Sequence, residues 1–361
     1  MSPRPRPRVL IAGLVAAAIV IAGLLLDIDR VAATFLVAYT ASVSVVLGML
    51  ALLMIAHLTT ATWFGPFRRR AEAVIGVLPV LAVLSILVLP VLISIYRSAP
   101  IATEPTRRLY LAPPFLIART IVYWIAWLLI AESLRATSRA HDTGDPRAAP
   151  RFRTISSIGL VVLGVTMTFA SFDWMMSLTP RWYSTIYGVY WFAGGTVGAL
   201  ALLALLARSD RPSPVPVPAN QLHSLGKLLL TFVMFWLYIG FAQYIVIWSG
   251  NIPSEVTWYI PRTHGGWGVV ALVLLAGSFA LPFLALLLRF VKRSHMLLAA
   301  LGVTLLSFHY LDTYWLLMPN LTQVTWWTVV VSAATLVLLV VSLVVVSSSR
   351  ESRAVSRAAN R

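Results

Sequence analysis

The sequence predicts an all-α integral membrane protein of ten transmembrane helices. Three observations predict it. Of 361 residues, 59% are hydrophobic and 11% are charged, against about 25% charged in a soluble domain. Apolar runs of the length a bilayer demands, about 20 residues, recur from one end of the chain to the other. The basic residues concentrate in every second connecting segment, as cytoplasmic loops do.

The runs fall at 9–26, 31–57, 72–96, 110–134, 155–178, 182–207, 225–249, 265–290, 295–318 and 325–348. The first follows a basic start, as a signal peptide would. It is long for that role and enters Asp27 without a convincing cleavage site, so a retained helix is expected. The fourth run carries Arg119 in its interior. The fifth carries Asp173, seven residues before Pro180, and the ninth carries Asp312, seven residues before Pro319. Ser171-Phe172-Asp173-Trp174 and Ser307-Phe308-His309-Tyr310-Leu311-Asp312 agree loosely around them. The two runs are four spans apart and therefore run in the same direction. Helices two to five and six to nine are thus expected to form two parallel four-helix bundles, flanked by helices one and ten. In residues, this divides the chain at 1–30, 31–180, 181–320 and 321–361. Many secondary transporters use inverted repeats instead.

Twenty-one of the 28 Lys and Arg residues lie in the N-terminus, the loops after helices two, four, six and eight, and the C-terminus. Six lie in the alternate loops, and Arg119 lies within a span. Both termini are therefore expected on the cytoplasmic side. The same distribution accounts for the formal charge of +16 without nucleic acid as a partner. Residues 137–153 read as a basic inner loop. Ser209–Asn220, with its Pro-Ser-Pro-Val-Pro-Val-Pro run, reads as a stiff connector.

Absences narrow the chemistry. The chain has no cysteine, which excludes thiolate-held iron–sulfur clusters, disulfides and thiol catalysis within it. A membrane haem b needs two facing histidines. Only His57 and His309 fall within spans, toward opposite faces, so no haem is expected. No Walker, HExxH or GxSxG motif is present.

Ionisable groups inside a bilayer are costly and mark functional sites by default. Arg119, Asp173, Gln243, His309 and Asp312 all fall in the outer halves of their helices. Arg119 and Asp173 are expected to pair. Asp173, His309 and Asp312 are expected to line one polar cavity, with Gln243 and Tyr314 nearby. His309 sits one turn before Asp312 and is placed to relay its proton. Each also has a packing reading: an ion pair between helices, a helix-end cap, a satisfied buried imidazole. His57 and Lys227 read as snorkelling at the inner interface, and Glu132–Arg135 as an interfacial pair. Aromatic residues crowd the same outer side, among them Trp174, Trp182, Tyr183, Tyr187, Tyr190, Trp191, Trp236 and Trp248. Trp182, Tyr183, Trp258 and Tyr259 suit an interfacial belt. The deeper ones suit either a flat apolar ring such as a quinone or tight packing around Gly188, Gly194 and Gly195.

Two stretches are more specific. One is 171–195, Ser-Phe-Asp-Trp-Met-Met-Ser-Leu-Thr-Pro-Arg-Trp-Tyr-Ser-Thr-Ile-Tyr-Gly-Val-Tyr-Trp-Phe-Ala-Gly-Gly. The other is 236–259, Trp-Leu-Tyr-Ile-Gly-Phe-Ala-Gln-Tyr-Ile-Val-Ile-Trp-Ser-Gly-Asn-Ile-Pro-Ser-Glu-Val-Thr-Trp-Tyr. With His309–Pro319, they resemble the NrfD/PsrC-like family of polytopic membrane proteins, and within it the cofactor-free member found in bacterial alternative complex III. The resemblance covers roughly 155–320. It implies a ten-helix component of a respiratory quinol:electron-acceptor (cytochrome c) oxidoreductase. The implied partners are a haem-bearing cytochrome c subunit, an iron–sulfur subunit and a second NrfD-like subunit that is the stronger candidate for quinol oxidation. The resemblance links the cofactor-free member to proton movement or assembly. Ser254 departs from the family, which has an acidic residue before the position of Glu255. Two other classes remain: an independent ion- or solute-coupled secondary transporter, and a purely structural membrane anchor.

Overall fold

The structure, a computed structural model, describes residues 7–98, 105–179, 182–208, 217–321 and 328–337. Among the described residues there is no strand. Eight helical stretches are long and apolar enough to cross a membrane: Ile28–Leu58, Thr62–Tyr96, Pro113–Asp142, Ala148–Leu178, Tyr187–Leu206, Ala219–Gly250, Gly266–Leu287 and His295–Leu321. They coincide with the second to ninth apolar runs. The chain is accordingly a multi-pass membrane protein. The first run is helical as α1 (Pro7–Leu26). The tenth lies partly outside the described residues, which show it as a short apolar helix, Thr328–Val337.

Asp27 starts α2 (Ile28–Leu58) by accepting the Arg30 backbone N–H at 3.1 Å, an N-cap that satisfies one of the orphan donors of the first turn. The third run is broken. After a short 3₁₀ turn at Thr62–Phe64, α3 (Gly65–Ile75) ends at Gly76, and α4 (Leu78–Ser98) carries the membrane stretch with Pro90 inside it. A short α5 (Pro105–Tyr110) leads to α6 (Pro113–Asp142), which begins on Pro113-Pro114, where missing N–H groups cost nothing. Helix α7 runs over Ala148–Trp174 and ends in a 3₁₀ turn at Met176–Leu178. Residues 137–153 are therefore not a loop. Helices α6 and α7 extend into them and leave only 143–147 as the turn.

Helix α8 (Tyr187–Leu206) is followed by α9 (Ala219–Gly250). Of the proline-rich connector, 209–216 lies outside the described residues. Asn251 (φ 45°) ends α9 in the left-handed region, and Gly265 (φ 59°) opens α12. Between them sit two single turns, α10 (Pro253–Val256) and α11 (Ile260–Thr263). Then come α12 (Gly266–Leu274), a π-helical segment at Leu275–Ala280, α13 (Leu281–Leu287), the short α14 (Arg289–Arg293) and α15 (His295–Leu321). The short helix Thr328–Val337 is α16. Helix α15 continues through Pro319, so Asp312 lies inside it and caps nothing.

The core is built on the crossing of α2 and α8, whose backbones touch. A Cβ at Gly48 would sit 2.6 Å from the Gly195 carbonyl oxygen, so small residues permit the approach. Around that axis α2 packs on α4 and α7, and α8 packs on α9 and α15. Helix α6 lies on α7, and α12 on α15; α4 touches α6, and α13 touches α9. Helix α7 reaches α8, and α15 reaches α2. Facing away from the core, α6 and α7 expose Ile121, Val122, Ile125, Ile158, Val161 and Val165, as lipid-facing helices do.

Candidate functional site: two buried carboxylates

The two end faces of the helix assembly differ in charge. One, here the basic end, carries Arg68, Arg69, Arg151, Arg208 and Arg293. Toward the other end, two carboxylates are buried. Asp173 is 0% and Asp312 3% exposed.

Asp173 sits in the last turn of α7. Its Oδ1 accepts from Arg119 Nη2 at 2.9 Å, and its Oδ2 accepts from Arg119 Nε at 2.9 Å and from the Tyr123 hydroxyl at 2.7 Å. The expected Arg119–Asp173 pair is therefore present, and it is bidentate, the stronger and more directional form of such a pair. The guanidinium lies over the Tyr110 ring, 3.9 Å from its centre. Tyr96 donates its hydroxyl to the Asp173 backbone carbonyl. Next to it, Trp174 is 1% exposed. It hydrogen-bonds Thr120 Oγ1 at 3.3 Å and packs against Tyr39, Trp127 and Trp191. Asp173 is thus neutralised, and its surroundings are packed with rings.

Asp312 is held differently. Its Oδ1 accepts from the Tyr190 hydroxyl at 2.8 Å and its Oδ2 from Trp236 Nε1 at 3.3 Å. Among the described residues no Lys or Arg forms an ion pair with it. Two neutral donors on two different helices, α8 and α9, serve a carboxyl group on a third.

His309 does not join Asp312. Its Nε2 lies 2.8 Å from Ser44 Oγ and 3.4 Å from the Ala41 carbonyl, both on α2. Ser44 donates its own proton to Ala41 O at 2.8 Å, so Nε2 is the donor to Ser44. The ring fills the groove left by Gly194 and Gly198 of α8. The expectation of one cavity lined by Asp173, His309 and Asp312 is therefore corrected. The three make separate contacts because each has a nearer partner on the helix it faces. A cavity of about 1080 Å3 lies between α12, α15 and α16, and of the expected residues only Tyr314 lines it. The Tyr314 hydroxyl is buried without a hydrogen-bond partner. Gln243 is buried on α9 and meets the side chain of Tyr259.

Arg262 is the residue that sequence reasoning missed. As a loop arginine it counted among the exterior cations, yet it is 0% exposed. It donates to the Trp258 carbonyl at 2.6 Å and to the Leu316 carbonyl at 2.5 Å, and its guanidinium lies 3.8 Å from the centre of the Trp258 ring. Burial pushes its guanidinium down to about 10 from the ordinary 12.5, which still leaves it charged at neutral pH. Trp182 stacks on Trp258 at 4.8 Å, and both are buried. Of the expected interfacial belt only Tyr183 is well exposed, at 72%. The available signal was Trp258 four residues before Arg262, a spacing that places a cation over an indole on one helical turn.

The lesser expectations divide. Glu132 and Arg135 do pair, at 2.6 Å. His57 stacks on Phe152 at 4.0 Å and does not snorkel freely. Lys227 is exposed. The aromatic residues of α9 split into a buried Trp236 and an outward face of Tyr238, Phe241 and Trp248.

Comparison with protein-family models and with the curated proteins gives no match.

Proposed function

We propose that this chain is the cofactor-free membrane component of a quinol:electron-acceptor oxidoreductase complex, and that Asp312 is its proton-exchanging group. The observation that carries the chemistry is the contrast between the two carboxylates. Asp173 is clamped by a guanidinium. Asp312 is as deeply buried and has only neutral donors. A lone charge there is expensive to hold in a low-dielectric medium, whereas a carboxyl group that takes up a proton removes the cost. Tyr190 and Trp236 fix the carboxyl plane in either state. Tyr187 and Tyr259 lie within electrostatic reach of Tyr190, and Arg262 within reach of both.

The complex itself is proposed from the resemblance of 171–195, 236–259 and 309–319 to the cofactor-free NrfD-like member of alternative complex III. Partners are then a cytochrome c subunit with haem c, an iron–sulfur subunit and a second NrfD-like subunit, with quinol oxidised nearby. The setting is a bacterial cytoplasmic membrane with both termini inside. Ten spans in two parallel four-helix bundles complete the reading. The paired packing of α2, α4, α6 and α7 with α8, α9, α12–α13 and α15 supports it.

Gentle solubilisation and affinity capture of the chain tests the assembly. Copurification of a haem c polypeptide is expected, and capture of the chain alone rejects the complex. Asp312→Asn tests the chemistry, because it keeps the shape and removes the titration. The expected result is an assembled complex whose quinol oxidation or proton release is slowed about 100-fold, the lower end of general acid–base contributions. Full turnover rejects the proton role, and loss of assembly assigns Asp312 to structure.

A further inference from the structure

At the basic end the two halves of the chain treat their cations differently. In the first half, carboxylates answer several of them. Arg68 and Arg69 both reach Asp142, Arg135 reaches Glu132 at 2.6 Å, and Arg151 reaches Asp145 at 3.0 Å. In the second half, α9 and α14 meet and bring together Lys227, Arg289, Lys292 and Arg293 around His223. Among the described residues no carboxylate forms an ion pair with any of the four. The one polar tie is Arg293 Nη2 to Asn220 Oδ1, at 2.7 Å.

The cluster is built into the helix packing. Lys292 is 8% exposed, and its stem lies against Gly226, where a Cβ would come within 2.6 Å of Lys292 Cγ. That stem is therefore held along α9. His223 Nδ1 is buried and has no hydrogen-bond partner. Four cations with no paired carboxylate among the described residues thus lie within electrostatic reach of an unpartnered imidazole nitrogen. Beside them the surface turns apolar: Leu284, Leu287, Leu288 and Phe290 are exposed at 48–63%. Helix α14 begins where Leu288 leaves helical geometry at ψ 122°, so the chain turns at the point where the charges begin.

We propose that this groove between α9 and α14 binds the phosphate headgroup of an anionic phospholipid, with its acyl chains along α13. A phosphodiester carries the charge opposite to the cluster and accepts from several donors at once. The adjoining leucines and Phe290 supply the surface that a free phosphate has no use for. Basic pockets between membrane helices select anionic lipids in this way. The proposal goes beyond the oxidoreductase reading and stands whether or not that reading holds.

The test uses the full-length chain in neutral detergent, with thermal unfolding followed as lipid is added. Three additions are compared: phosphatidylglycerol, phosphatidylcholine and inorganic phosphate. Phosphatidylglycerol is expected to raise the melting temperature saturably, and the other two are not. Lys227→Gln with Arg289→Gln removes two exposed cations and leaves the buried Lys292 in place. At about fivefold for each basic residue near an anionic surface, the double variant is expected to weaken the lipid's apparent affinity about 25-fold. Arg139→Gln with Arg153→Gln, two exposed arginines of the first half, is expected to change it little. An equal response to phosphatidylcholine overturns the proposal, as does an equal response of the two double variants. An equal response to inorganic phosphate reduces the groove to an anion site and overturns the lipid assignment. Retained lipid affinity in the Lys227→Gln, Arg289→Gln protein, together with loss of a copurifying polypeptide, assigns the groove to a protein partner and overturns it too.

Discussion

At the scale of single residues, the chain solves the same problem in more than one way. A charge drawn into a membrane protein needs a partner, a proton or a set of dipoles. Asp173 has a guanidinium; Arg262 has two carbonyls and an indole face; Asp312 has a phenol and an indole N–H. The first arrangement predicts a specific mutational pattern. Asp173→Asn leaves Arg119 without its counter-charge, and Arg119→Met leaves the fully buried Asp173 with only Tyr123. Each single variant is expected to lose about 3 kcal/mol of stability, as breaking a buried pair does. The double variant is expected to lose less than either single one. Thermal unfolding of the four proteins in detergent measures the cycle, and additive losses would show that the pair contributes nothing beyond packing. The pair was legible in the sequence because an arginine inside an apolar run has few partners within reach. Arg262 was not legible as a buried group, because loop position says nothing of depth. The partners of His309 were equally out of reach, since Ser44 lies 265 positions away in a helix whose several serines and threonines do not mark which of them meets it.

At the scale of elements, the α2–α8 crossing sets where everything else goes. Gly195 puts α8 against the backbone of α2, and the histidine that sequence reasoning gave to a relay fills the groove beside it. Gly48→Ala is expected to force the helices apart and cost about 1–3 kcal/mol, the range for overpacked cores. Gly164→Ala on α7 meets nothing within 4 Å and is expected to be neutral or slightly stabilising, since alanine favours helix. Comparing detergent-solubilised yield and melting temperature of the two checks this. Equal behaviour would mean that α2 and α8 can slide apart without loss. Apolar runs located the spanning helices well because a bilayer imposes one length on all of them. They failed at boundaries that no bilayer sets. Gly76 breaks the third run, α6 and α7 continue past their apolar stretches to a short turn, and α15 carries Pro319 without stopping. In that last case only N–H loss and one carbonyl clash oppose continuation, and the proline stands close to the helix end.

At the scale of the whole molecule, orientation decides which compartment the Asp312 end faces. The absence of cysteine from the sequence makes this measurable, because each introduced thiol is the only one. Thr143 lies in the turn between α6 and α7, Ser294 in the turn between α14 and α15, and Ser254 in the single turn α10 after α9. The first two turns precede the last helix of each proposed bundle. Four spanning stretches separate the two turns, so both lie on the same side if each stretch crosses the membrane. Basic residues flank both, so both are expected in the cytoplasm. In intact cells a membrane-impermeant maleimide is expected to label Ser254→Cys and to spare Thr143→Cys and Ser294→Cys until the membrane is opened. Labelling of Thr143→Cys but not Ser294→Cys in intact cells would show that the four stretches between them do not all cross, and would reject the proposed four-helix repeat. Labelling of both, with Ser254→Cys protected, would keep the repeat and reverse the molecule. Asp312 and its tyrosines would then exchange protons with the cytoplasm, and the α9–α14 groove would face the outer leaflet.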